Sequence, residues 1–80
     1  MTPQQFAIAA FLAKMSEVRT DIARAVLLDN KTQAVAVAPY GYTRQAAAGP
    51  VRAIKRHWAA FEAARRIEQT DAGLGAKEDA

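Results

Sequence analysis

Cysteine is absent from this 80-residue chain, so neither a disulfide framework nor a thiolate metal site can support it. Histidine occurs once, at His57, which excludes a paired-histidine metal site and any Cys–His nucleophilic pair. The four glycines are scattered, and none opens a helix ahead of a Lys-Ser/Thr pair, so no phosphate-cradling loop is present. HExxH, paired-cysteine and EF-hand spacings are all missing. No apolar run is long enough to span a bilayer, and the opening MTPQQFAIAAFLAKM lacks the cationic start of a signal peptide. A cytoplasmic location is therefore expected.

What is present is alanine. About half of the residues are apolar (51 %), and Ala supplies much of that share. Alanine favours helix but buries little area, so it predicts helices with thin cores that gain stability from a partner or a second copy. At this length one small domain is expected, over 1–70, followed by a flexible tail over 71–80 that contains two glycines and mixed charges.

The net charge of +3 is unevenly spread. Residues 1–43 nearly balance. Residues 44–66 carry Arg44, Arg52, Lys55, Arg56, Arg65 and Arg66 against Glu62 alone, and 67–80 carry four acids against Lys77. The basic character is local, with an acidic segment behind it.

Along the chain, Thr2-Pro3-Gln4-Gln5 reads as a capping box with proline at the first helical position. Ile8, Phe11, Met15, Val18, Ile22 and Val26 then recur at spacings of three and four, which predicts one amphipathic helix over about 3–28. A second such helix is expected over about 50–68, where Val51, Ile54, Trp58 and Phe61 form the apolar stripe, extended by Ile67. The fold expected is predominantly α, a hairpin of these two helices, with Trp58 closing a thin interface against Phe11 and Met15. The connector 31–43 alternates valine and alanine and then meets Pro39 and Gly41, so it is expected to be extended or weakly β. A frayed tail completes the chain.

No catalytic, cofactor-binding or metal-ligating set emerges. His57 falls within the apolar arc with no carboxylate or nucleophile assigned to it, and general acid–base work requires such a partner. Glu17 and Asp21 lie one turn apart, but Lys14 and Arg24 share their exposed face. An enzyme is not expected, nor is a cofactor.

Two binding readings remain. In the main one, the chain is a small non-catalytic module that binds another protein, as a homo-oligomer or as a piece of a larger assembly. An accessory inhibitor or adaptor, including a phage-encoded one, would fit this description, as would a minor structural component. Tyr40 and Tyr42 beside Gly41, with Arg44 next to them, are its candidate contact residues, because tyrosine offers large contact area with few rotors. In the alternative, Arg52, Lys55, Arg56 and Arg66 project from the opposite side to Trp58 and Phe61 and contact the phosphates of DNA or RNA. The long connector argues against a helix-turn-helix, and base-reading Asn, Gln and Ser are missing from that face.

Overall fold

The computed structural model describes the backbone of residues 1–78 and the side chains of residues 1–68. Four helices follow one another: α1 (Pro3–Ala13), α2 (Glu17–Leu27), α3 (Gln33–Val37) and α4 (Ala48–Glu78). Two 3₁₀ turns, Ala38–Tyr40 and Arg44–Ala47, connect α3 to α4. The predominantly helical expectation is met, and no strand occurs among the described residues.

Both groups of the capping box are engaged at the start of α1. The Gln5 backbone N–H donates to the Thr2 hydroxyl at 3.1 Å, and the Thr2 N–H donates to the Gln5 side-chain oxygen at 3.0 Å. The helix does not run to 28, however. Lys14 turns into the left-handed region (φ 52°, ψ 40°), and its N–H closes α1 on the Ala10 carbonyl. Ser16 then opens α2 by accepting from the Arg19 N–H at 3.3 Å. The expected single stripe is thereby divided. Met15 packs into one cluster, while Val18, Ile22 and Val26 turn to another.

The connector also departs from expectation. Thr32 caps α3 by accepting from the Val35 N–H at 3.2 Å, so this segment is helical rather than extended. A lone strand would have left its backbone groups unpaired, whereas an alanine-rich turn of helix satisfies them internally. Ala36 and Val37 are buried and Val35 is exposed, a division set by the helical turn.

The second long helix starts at Ala48, earlier than 50, because the Arg44–Ala47 turn feeds straight into it. Gly49 and Pro50 do not interrupt it, since the first turn of a helix tolerates a residue without N–H. Its backbone continues past 68 to Glu78, where a frayed segment is expected over 71–80; residues 79–80 lie outside the described ones.

The packing is not a simple hairpin. Helices α1 and α2 both lie against α4, and α3 lies against α2 and the second 3₁₀ turn. Phe6, Ala9, Ala23 and Ile54 form one buried cluster, supported by Met15, Leu27, Leu28 and Trp58. Ile22, Ala36, Val37 and Ala47 form the other. With so much alanine both clusters are thin, as the composition implies. Helix α4 is the spine. At about 1.5 Å per residue it is about 46 Å long, and the molecule measures 60 × 18 × 17 Å. Residues 63–68 of α4 are exposed on every side.

Candidate interaction surfaces

Helix α1 contains no polar residue between Gln5 and Lys14. A helix that is apolar all round normally belongs in an interior, yet only one side of this one is covered. Phe6 and Ala9 are buried, whereas Phe11 is 78 % exposed and Leu12 40 %. Together with Gln4, Ala7, Ile8 and Phe61 of α4, these residues line an open apolar groove of about 450 Å³. Among the described residues no charged side chain lines it.

Phe61 links this groove to the core. Its ring lies 5.3 Å from that of Trp58, tilted by 31°. The Arg65 guanidinium lies over the Phe61 ring, 5.9 Å from its centroid. Trp58 is half-buried and packs against the first cluster. Of the two expected partners of Trp58, Met15 packs against the same cluster and Phe11 does not. Ile67 does not extend the buried stripe either, being 62 % exposed.

The periodicity assigns the groove residues Ile8 and Phe11 only to the packed seam. One signal could have separated them: the run FAIAAFLA has no polar side to turn outward, so a thin partner cannot cover all of it.

Tyr40 and Tyr42 are exposed at the end of the first 3₁₀ turn, and their rings stack with centroids 6.0 Å apart. Gly41 between them has φ +69°, a conformation that glycine adopts without steric penalty. Tyr40 also borders a smaller hollow with Asp21, Arg24, Asp29 and Lys31, where Arg24 is bonded to Asp21 at 2.6 Å. Arg44 is exposed at the start of the second 3₁₀ turn.

Of the four cations expected on the back of α4, three converge. Arg52, Lys55 and Arg56 line an open concavity of about 490 Å³ with Ala48, Val51 and Gln33, the first residue of α3. Gln33 is the contribution that sequence reasoning missed, because it depends on how α3 folds back towards α4. Arg66 lies outside this concavity, near Glu62 at 3.7 Å.

His57 is half-buried. Among the described residues no group of three or more His, Cys, Asp or Glu could hold a metal ion. No described helix is long and apolar enough to cross a membrane. No family model, curated protein or solved structure matches this chain.

Proposed function

We propose that this chain is a non-catalytic protein-binding module whose contact surface is the outer face of α1 together with Phe61. The observation that carries this reading is Phe11, a large aromatic side chain 78 % exposed on a helix with no polar side. Transferring such a side chain out of water stabilises a complex by roughly 1.5–3 kcal/mol. Aromatic anchors in an apolar patch also dominate measured binding energies.

The occupant we propose is a second copy of the chain. A twofold contact places the same patch on both sides, so the patch must complement itself. Among the described residues no charged side chain lines the groove, and Arg65 beside Phe61 is exposed and can stay at the rim, so the contact need not bury an unpaired ion. The thin core is a second support, because a dimer would cover apolar area that one chain leaves wet.

Sedimentation equilibrium from micromolar to millimolar concentration tests this. The expected result is a mass rising from one chain to two, abolished by Phe11→Ser. A single-chain mass throughout that range removes self-association. The tyrosine pair is tested in the same way: if Tyr40→Ala/Tyr42→Ala lowers the association and Phe11→Ser does not, the connector is the interface and the α1 face is not.

A further inference from the structure

The three cations of the α4 concavity sit within one helical turn, with Arg52 and Arg56 four residues apart and Lys55 between them. Side chains three and four apart on a helix are neighbours, so these like charges repel one another. All three are exposed, so water screens the repulsion, but no acidic side chain among the described residues offsets it. The ion pairs among described residues join Arg24 to Asp21 and Arg66 to Glu62, and no carboxylate reaches Arg52, Lys55 or Arg56. Helix α4 also has no acid in its first turn that could offset them.

The surroundings indicate what would compensate them. The rest of the lining is Ala48, the buried Val51 and Gln33, whose side-chain amide is the lining's one uncharged polar group. Two guanidinium forks beside one ammonium match the oxygens of closely spaced phosphates, which arginine engages bidentately. The volume, about 490 Å³, exceeds the need of a single carboxylate. No aromatic side chain lines the concavity, because Trp58 and Phe61 lie on the packed side of α4. Without an aromatic surface there is no platform for unstacked bases. Contact is then to backbone rather than to base, and sequence-independent.

We propose that the concavity formed by Gln33, Arg52, Lys55 and Arg56 binds adjacent phosphates along the backbone of a nucleic-acid duplex. This goes beyond the protein-binding reading and uses a different surface, so the two can fail separately.

The test is fluorescence anisotropy with a labelled 20-base-pair DNA duplex at increasing salt, using the Phe11→Ser protein so that self-association does not contribute. Neutralising about three phosphates predicts a slope of log K against log salt near −2.7. Arg56→Ala is expected to make that slope shallower by about 0.9. Arg52→Ala/Arg56→Ala should lose binding at 50–100 mM salt while circular dichroism stays unchanged. Arg24→Gln, which removes one charge from a paired site, should bind more tightly than Arg56→Ala.

Any of several outcomes would overturn the proposal. These are no binding at the lowest salt, a double variant that binds like the parent, displacement by a glutamate-rich peptide as effective as by unlabelled duplex, and binding of inorganic triphosphate without binding of the duplex. Two duplexes of unrelated sequence should bind within a factor of about three of each other; a strong preference would assign the contact to base edges instead.

Discussion

Phe6 and Phe11 stand five residues apart on α1 and have opposite fates. Phe6 is 2 % exposed, closed in by Ala9, Ala23 and Ile54 and covered by the Arg24 guanidinium at 5.3 Å. Phe11 has nothing of the kind above it. The side chains are identical, so the contrast is one of position around the helix. The spine α4 and its partner α2 offer one concave surface, and α1 can turn only one side to it. Hydrophobicity alone does not place a residue in a core; something must be available on that side to meet it.

This contrast can be tested from its strongest effect downward. Phe6→Ala should destabilise the fold by about 3–5 kcal/mol, since it removes a buried ring and leaves a cavity. For a domain this small that approaches total stability, and urea denaturation followed by helical circular dichroism would detect it. A loss under about 1 kcal/mol would mean that the inner face is not the core.

Thr2→Ala should weaken the fold by about 1 kcal/mol through the lost cap, seen as a lower urea midpoint at unchanged slope. Gly49→Ala should act in the opposite direction. Its new methyl would meet the tip of the Arg19 side chain at 3.5 Å, an ordinary contact, and φ there is not positive. The expected gain is about 0.5–1 kcal/mol from helix propensity, or a rise of a few degrees in Tm.

Phe11→Ser should leave the stability of the monomer within about 0.5 kcal/mol while removing the concentration dependence of Tm that a dimer produces. If Phe11→Ser unfolds the protein at dilutions where it is monomeric, the two phenylalanines share one role and the contrast fails.

The sequence made helices legible and their junctions much less so. The Thr2–Gln5 box could be read directly because it is local and complete. The break at Lys14 could not, since lysine rarely takes the left-handed conformation and gives no warning of it. Ser16 followed by Glu17 was the available trace, a capping residue with an acid at the first helical position. In the connector, valine alternation competed with alanine propensity and a Thr32 cap, and the missing neighbour strand decided the result. Among the site residues, the outward cations followed from the period of α4 alone. Gln33 and the groove did not, because both depend on which element lies beside which.

The length of α4 also governs how the molecule moves through water. A particle of 60 × 18 × 17 Å is a rod roughly three times as long as it is wide. Its drag exceeds that of a sphere of equal mass, so a lone 8.6 kDa chain migrates ahead of compact proteins of its size. Elution position would thus imitate a dimer even for a monomer. Rotation about the long axis is faster than end-over-end tumbling, so amide relaxation rates along α4 should depend on bond direction.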